Sequence, residues 1–307
     1  MSPDVIVIDR ATKRFGRTEA LKELSLTVRR GEMFGLIGPD GAGKTTTIRL
    51  ICGLLQSNAG RVQVLGLDPI RDHRQLTESV GYLSQQFSLY GDLSVDENIA
   101  FFAEIHGVRE YAARRDRLLD LTQLTPFRAR LASRLSGGMK QKLALACTLV
   151  HEPALIVLDE PTTGVDPVSR REFWKLLSEF LGLGITIVMA TPYLDEAERC
   201  SRVGLLHGGR LLALDEPAAL RATLPGSFVE VIAADQRRAV EVLRRMPGVS
   251  DVQLFGERAH VRLAEADEGF EGALKSRLES AGVPVESVRP IAASLEDVFI
   301  ARLGEAS

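Results

Sequence analysis

The chain lacks any hydrophobic run of membrane-spanning length. Its longest apolar runs, such as residues 154–158 and 185–190, are only as long as a strand, whereas a membrane helix needs about 20 consecutive apolar residues. The first ten residues include Asp4 and only a short apolar run, which is not the pattern of a signal peptide. If the protein works at a membrane, we therefore expect it to dock onto another protein there.

An excess of basic residues is also lacking. The 307 residues contain 38 lysines and arginines against 41 aspartates and glutamates, for a net charge of −3. Domains that bind nucleic acid carry clustered positive charge for the phosphate backbone. We therefore predict no nucleic-acid partner.

Cysteine is scarce. The three cysteines, Cys52, Cys147 and Cys200, are far apart in the chain, and none lies in a CxxC or CxxH setting. This pattern predicts buried free thiols in a reducing compartment.

Short apolar segments alternate with helical patterns over the first two thirds of the chain. Residues 155–158 and 185–189 are near-continuous aliphatic runs, typical of parallel strands buried on both faces. Residues 167–181 between them predict a crossover helix, and apolar spacing from residue 94 to about 150 predicts a helical insertion. The fold class is therefore α/β. The remaining predictions are strands at 5–8, 24–28, 33–37, 61–64 and 80–83 and a helix at 44–55.

The composition changes near residues 223–227, and a β-α-β-β-α-β rhythm follows. This rhythm predicts a small ferredoxin-like α+β domain, so we place two domains at 1–225 and 226–307. The second domain shows no set of catalytic residues. Its role could be dimerisation, gating or ligand binding, and the sequence does not choose among them. Its predicted strands are 228–233, 251–255, 259–263 and 285–290, and its predicted helices are 236–246, 270–281 and 295–303.

A glycine-rich loop follows the predicted strand 33–37 and opens the predicted helix at Lys44. It fits the pattern GxxxxGK[ST], in which backbone N–H groups and a helix N-terminus surround phosphate. Lys44 is expected to reach the β- and γ-phosphates of ATP, and the Thr45 hydroxyl is expected to bind Mg²⁺. The predicted ATP-binding residues of this loop are Gly38, Pro39, Asp40, Gly41, Ala42, Gly43, Lys44, Thr45 and Thr46.

Two carboxylates follow the buried strand predicted at 155–158. Asp159, at the end of such a strand and facing a phosphate loop, is predicted to hold Mg²⁺. Glu160 would point into the same cleft, where it is the natural general base for the attacking water.

The segment Leu135-Ser136-Gly137-Gly138-Met139-Lys140-Gln141 resembles the signature motif of ABC ATPases. With the glycine loop upstream and residues 155–160 downstream, the resemblance covers about residues 5–220. It implies a P-loop NTPase with a RecA-like core, an antiparallel β subdomain and a helical subdomain at about residues 86–150. It also implies two ABC units packed head to tail, with Leu135, Ser136, Gly137 and Gly138 of one unit contacting ATP bound to the other.

Further positions match the family one at a time. Phe15 stands where an aromatic ring stacks on adenine, and Asp166 matches the loop that crosses the dimer interface. Gln85 matches the glutamine that touches Mg²⁺ and the attacking water, although the adjacent Gln86 could take that place.

The sequence departs from the family pattern at two positions. Asp40 stands where asparagine is commoner, and we expect its side chain to point away from phosphate because a carboxylate would repel it. Pro192 stands in place of the family's switch histidine and has no side-chain donor. Losing one preorganised donor costs about 10²–10³ in rate. The chain is expected either to pair with a histidine-bearing ABC unit or to form a homodimer in which Glu160 and Gln85 suffice.

The segments 82–90, 195–199 and 294–299 resemble the ATPases of ABC-2 type exporters of the multidrug and daunorubicin-resistance kind. This resemblance implies a cytoplasmic chain, held at the inner face of the membrane by a separate permease that docks near residues 87–94. Two alternatives remain open. One is a catalytically weak ABC unit that binds ATP beside an active partner, and the other is a soluble ABC ATPase that acts on ribosomes or DNA.

Overall fold

A computed structural model describes residues 4–85, 89–264 and 269–306. The chain divides into two compact units, Met1–Glu216 and Pro217–Ser307. This boundary falls before the composition change at 223–227, because the helix Pro217–Ala222 packs against the last helix of the chain. Within the described ranges, no helix is long and apolar enough to cross a membrane.

The first unit contains nine described strands and seven described helices. The strands are β1 (Asp4–Phe15), β2 (Thr18–Arg29), β3 (Met33–Ile37), β4 (Ala59–Val64), β5 (Val80–Leu83), β6 (Leu155–Asp159), β7 (Thr186–Thr191), β8 (Arg202–His207) and β9 (Arg210–Asp215). The helices are α1 (Lys44–Ile51), α2 (His73–Thr77), α3 (Val95–Ile105), α4 (Ala112–Thr122), α5 (Gly137–Leu149), α6 (Pro167–Gly182) and α7 (Leu194–Ala197). Two short 3-10 turns, Thr125–Phe127 and Ala132–Arg134, lie between α4 and α5.

A six-stranded sheet forms the centre of this unit. Its order is β5-β6-β7-β3-β8-β9, and all neighbours are parallel except the β8–β9 hairpin. Every residue of β3, β6 and β7 is buried, which explains their near-continuous aliphatic sequences. The α/β prediction is confirmed, and the carboxyl ends of β6, β7 and β3 meet at one edge of the sheet.

The β8–β9 hairpin was not predicted from the sequence. His207 pairs with Arg210, so Gly208 and Gly209 form a two-residue turn in which both glycines have positive φ. Paired glycines between two strands are a hairpin signal, and here that signal was missed.

The other parts of the unit flank this sheet. An antiparallel sheet of order β2-β1-β4 makes the expected β subdomain, and α3, α4 and α5 make the helical insertion between β5 and β6. Helix α3 begins with a capping box, in which Ser94 accepts from the Glu97 N–H and the Glu97 carboxylate accepts from the Ser94 N–H.

The second unit has the predicted β-α-β-β-α-β order. Its elements are α8 (Pro217–Ala222), β10 (Ser227–Ala233), α9 (Gln236–Leu243), β11 (Val249–Phe255), β12 (Arg258–Leu263), α10 (Phe270–Ser280), β13 (Val285–Ile291) and α11 (Leu295–Ala306). The four strands form an antiparallel sheet of order β11-β12-β10-β13. This is the arrangement of a ferredoxin-like domain. The helices α9 and α10 pack on this sheet through a core that includes Leu243, Leu274 and Leu278.

Candidate active site

The loop between β3 and α1 needs glycine at particular positions. Gly41 and Gly43 have φ values of +77° and +106°, which L side chains rarely adopt. A Cβ atom added to Gly38 would lie 2.2 Å from the carbonyl oxygen of Leu206. The backbone can therefore curl ahead of α1, whose first N–H groups have no partner within the helix and can bind an anion.

Lys44 lies inside this loop and is almost fully buried. Its Nζ atom donates to the carbonyl oxygens of Gly38 at 2.9 Å and Pro39 at 3.1 Å, and it is 3.3 Å from Oε1 of Glu160. The Asp40 carboxylate is 97% exposed and its Oδ1 is 4.0 Å from Nζ of Lys44. The ammonium group thus points into the loop, while the Asp40 side chain faces solvent.

Thr45 and Asp159 meet at the edge of the sheet. The Thr45 hydroxyl donates to Oδ1 of Asp159 at 3.1 Å. Burial raises the pKa of the Asp159 carboxyl above its usual range, the hydrogen bond from Thr45 opposes this shift, and the charge of Glu160 adds to it. A hydroxyl and a carboxylate in contact at a phosphate loop are the donor types that Mg²⁺ prefers, so these residues fit that ion.

Glu160 directs its carboxylate toward the loop. One oxygen lies 3.3 Å from Nζ of Lys44, and the other accepts from Nε2 of Gln85 at 3.2 Å and from the Thr163 hydroxyl at 3.5 Å. The backbone of Glu160 is left-handed, with φ of +49°, and its N–H donates to the Ala190 carbonyl at 2.9 Å. Gln85 is thus placed beside the candidate base, whereas its alternative Gln86 lies outside the described residues.

The signature segment begins α5. Ser136 caps the helix by accepting from the N–H of Met139 at 3.3 Å, and Leu135 is buried. Ser136 and Gly137 are exposed, and an added Cβ atom on Gly137 would meet nothing within 4 Å. Gly138 instead packs on α6, because its Cβ atom would lie 2.3 Å from the hydroxyl of Ser169.

The structure does not join the signature segment to the phosphate loop of its own chain. None of the hydrogen bonds or ion pairs found among the described residues connects 135–138 with 38–46. The exposed start of α5 is therefore left open to another molecule.

Two other predicted residues occupy surface positions. The carboxylate of Asp166 caps α6 by accepting from the N–H groups of Val168 at 3.1 Å and Ser169 at 3.0 Å. Hydrogen bonds from Ser169, and then that from the Val168 N–H, hold its pKa below the usual range. Phe15, at the end of β1, is 48% exposed, and Nζ of Lys13 lies 5.2 Å from its ring centroid. A half-exposed ring of this kind is available for stacking on a base.

Pro192 follows β7 at the same edge of the sheet. The hydroxyl of the preceding Thr191 accepts from the Tyr193 N–H at 3.1 Å and donates to Glu196 at 2.7 Å. The turn is therefore organised around Thr191, and the proline contributes no donor to the cleft.

Several polar residues beside the site were missed from the sequence. Glu196 and Gln141 are fully buried, and each hydrogen-bonds to the segment that follows Glu160. Away from the site, in the helical insertion, Asn98 is also buried, and its side chain binds the backbone of Tyr90, Leu93 and Ser94. Sequence position alone gave no signal that these polar side chains point inward.

Fold and site together define a P-loop ATPase with a helical insertion and a separate signature loop. The profile of the family described as "ABC transporter" matches residues 21–163. The whole chain aligns with 53% of the length of a "Probable multidrug ABC transporter ATP-binding protein" of Escherichia coli, and the aligned residues are 42% identical. A daunorubicin resistance ATP-binding protein of Streptomyces coeruleorubidus is 34% identical, over 99% of this chain and 98% of that protein. The chain belongs to the family of ABC transporter ATP-binding proteins.

Other matches agree with this family. A Nod factor export ATP-binding protein of a Rhizobium species is 35% identical over 99% of this chain and 98% of that protein. The chain spans about half the length of the first two curated relatives that it matches.

Solved structures give the same fold. The ATP-binding subunit of an ABC transporter is 29% identical with a TM-score of 0.65, covering 71% of this chain and 92% of that chain. A structure described as a dimeric post-hydrolysis state of an ATP-binding cassette bound to ADP and Pi is 25% identical with a TM-score of 0.60, over 69% of this chain and 98% of that chain.

Proposed function

We propose that the chain binds and hydrolyses ATP to power an exporter of the ABC-2 type. The observation that carries the hydrolytic part is the convergence of Lys44, Thr45, Asp159, Glu160 and Gln85 at one edge of the sheet. The exporter part rests on relatives whose names refer to multidrug transport, daunorubicin resistance and Nod factor export.

Each residue has a separate task in this reaction. The N–H groups at the start of α1 and the Lys44 ammonium hold the phosphates and offset their charge. Glu160 accepts a proton from the water that attacks the γ-phosphate, and Gln85 orients that water. Thr45, Asp159 and Gln85 would hold Mg²⁺, which supplies charge neutralisation on the phosphate oxygens. Phe15 stacks on the adenine ring.

A second ABC unit completes the site. Ser136 and Gly137 at the start of α5 are exposed, and their N–H groups and the helix N-terminus would face the γ-phosphate held by that unit. A second copy of this chain fits, because each copy carries one phosphate loop and one signature loop. The dimeric ATP-binding cassette among the similar structures supports this arrangement.

Pro192 favours a second candidate function. In it, this chain binds ATP but turns over slowly, and a partner that bears the switch histidine supplies most of the hydrolysis. A soluble ABC ATPase acting on ribosomes or DNA is the less favoured class, because the net charge of −3 provides little attraction for nucleic acid.

A separate permease would hold this chain at the inner face of the membrane, in the cytoplasm. The docking surface that we propose is a cavity of about 230 Å³ beside β5. It is lined by Cys52, Leu54, His73, Leu76, Thr77, Val80, Tyr82, Phe102, His106, Cys147, Thr148 and His151. Leu54 is 52% exposed at this cavity. Docking was expected near residues 87–94, but Phe87 and Ser88 lie outside the described residues and none of residues 89–94 lines this cavity.

Replacing Leu54 tests this docking. Leu54→Asp is expected to release the chain from membranes that contain its permease, because a charge would be buried against an apolar segment. The measurement is the membrane-bound fraction after sedimentation, with ATP affinity measured in parallel. Leu183→Asp, at a 56% exposed leucine elsewhere, is the matched control. Equal binding of both variants would contradict the assigned surface.

The hydrolytic proposal is tested by Glu160→Gln. The variant keeps the shape and the contact with Gln85 but loses the base, so Mg·ATP turnover is expected to fall by about 10²–10⁴. It should also accumulate as an ATP-bound dimer in size-exclusion chromatography. Turnover equal to that of the wild type would contradict Glu160 as the base. If the wild type binds ATP tightly but shows no turnover, the result would favour the second candidate function, in which this chain hydrolyses ATP slowly beside an active partner.

A further inference from the structure

The backbone that follows Glu160 is held from two sides by buried polar side chains. On one side Nε2 of Gln141, a fully buried residue of α5, donates to the carbonyl oxygen of Pro161. On the other side the Thr162 hydroxyl donates to the carboxylate of Glu196, which is 1% exposed. We call Gln141, Thr162 and Glu196 the clamp.

Glu196 also fixes the end of the neighbouring strand. Its second carboxylate oxygen accepts from the Thr191 hydroxyl at 2.7 Å, and Nε of Arg170 in α6 lies 3.6 Å from the first. A single buried carboxylate therefore joins the ends of β6 and β7 to the start of α6. A buried charge is tolerated only when its oxygens are paired in this way.

This clamp borders a disfavoured backbone conformation. Glu160 has φ of +49°, and a residue other than glycine keeps such a conformation only when its surroundings dictate it. That conformation directs the Glu160 carboxylate toward Lys44 and Gln85, at 3.3 and 3.2 Å. Pro192, which follows β7, gives Glu160 no side-chain donor. Apart from its contacts with Lys44 and Gln85, the base therefore depends on the backbone at 160–162 for its position.

We propose that Glu196 and Gln141 are positioning residues for hydrolysis, which act by clamping residues 161–162 so that Glu160 faces the attacking water. This inference rests on the proposed function, in which Glu160 is the general base. Glu196 and Gln141 do not touch the nucleotide in this assignment. Their loss should therefore lower the rate of the chemical step and leave ATP binding intact.

Thr162 offers the sharpest test, because one conservative substitution removes its hydroxyl and another keeps it. Thr162→Val keeps the volume and removes the hydrogen bond to Glu196, whereas Thr162→Ser keeps the hydroxyl. We expect the valine variant to lose about tenfold in kcat with the KM for ATP unchanged within about twofold, and the serine variant to retain wild-type kcat.

Hydrogen–deuterium exchange at residues 160–163 gives a readout that does not require turnover. Exchange should be faster by about tenfold in Thr162→Val than in Thr162→Ser, because opening of this segment no longer breaks the bond to Glu196. Equal exchange and equal kcat in the two variants would overturn the clamp. A wild-type chain that binds ATP without hydrolysing it would count against the proposed function alone, and the exchange comparison would still decide the clamp.

Discussion

The phosphate loop and the signature loop of this chain differ in how complete they are. At the phosphate loop, Lys44, Thr45, Asp159 and Glu160 all have polar partners within the chain. At the signature loop, Ser136 caps its helix but the surface over Gly137 is open. The polar groups of the phosphate loop are therefore paired within the chain, whereas the start of α5 is exposed and is the part that the proposed dimer would use.

The two glycines of the signature segment test this comparison, because Gly138 packs against α6 whereas Gly137 faces solvent. Gly138→Ala would place a Cβ atom 2.3 Å from the Ser169 hydroxyl, so α5 and α6 must separate, at a cost of about 1–3 kcal/mol. We expect a melting temperature lower by several degrees, measured by calorimetry without nucleotide.

Gly137→Ala is the matched control for that change. Its added Cβ atom meets nothing within 4 Å in the single chain, so the melting temperature should stay that of the wild type. Equal destabilisation by both substitutions would contradict the assignment of one glycine to packing and the other to a partner.

A histidine pair outside both loops provides a prediction that depends on pH. His106 and His151 stack with ring centroids 3.8 Å apart, and burial, followed by the neighbouring His106, lowers the pKa of His151 to about 4. An unfolded histidine titrates near pH 6.5, so between pH 6.5 and 4 the unfolded chain binds the proton first. Stability contributed by neutral His151 is therefore present above pH 6.5 and lost as the pH falls toward 4.

His151→Phe should remove this part of the pH dependence. The ring stack is kept but the titrating group is gone, so the fall in melting temperature between pH 7 and pH 5 should be smaller than in the wild type. ATP affinity at pH 7 should not change, since the pair does not touch the phosphate loop. An identical fall in both proteins would show that His151 does not carry the effect.

The sequence predicted which residues meet at the edge of the central sheet better than it predicted the polar contacts around them. Lys44, Asp159 and Glu160 could be placed because each follows a buried strand, and the carboxyl ends of adjacent parallel strands meet at one edge. The hairpin of β8 and β9 was missed because β9 is only partly buried and gave no clear periodicity. Gln141 and Glu196 were missed because their partners lie 20 and 34 residues away, and such pairings exist only after folding.

The most direct test of the central claim is complementation between two inactive variants. Lys44→Ala disables the phosphate loop and leaves the signature loop intact, while Gly137→Asp blocks the signature loop and leaves the phosphate loop intact. Each variant alone should show no Mg·ATP turnover.

In a head-to-tail dimer of this chain, a mixed pair regains one complete site. An equimolar mixture should therefore recover roughly a quarter of wild-type turnover, since about half of the dimers are mixed and each has one of two sites. A mixture as inactive as its components, under conditions where the wild type turns over, would contradict the claim that a second copy completes the site.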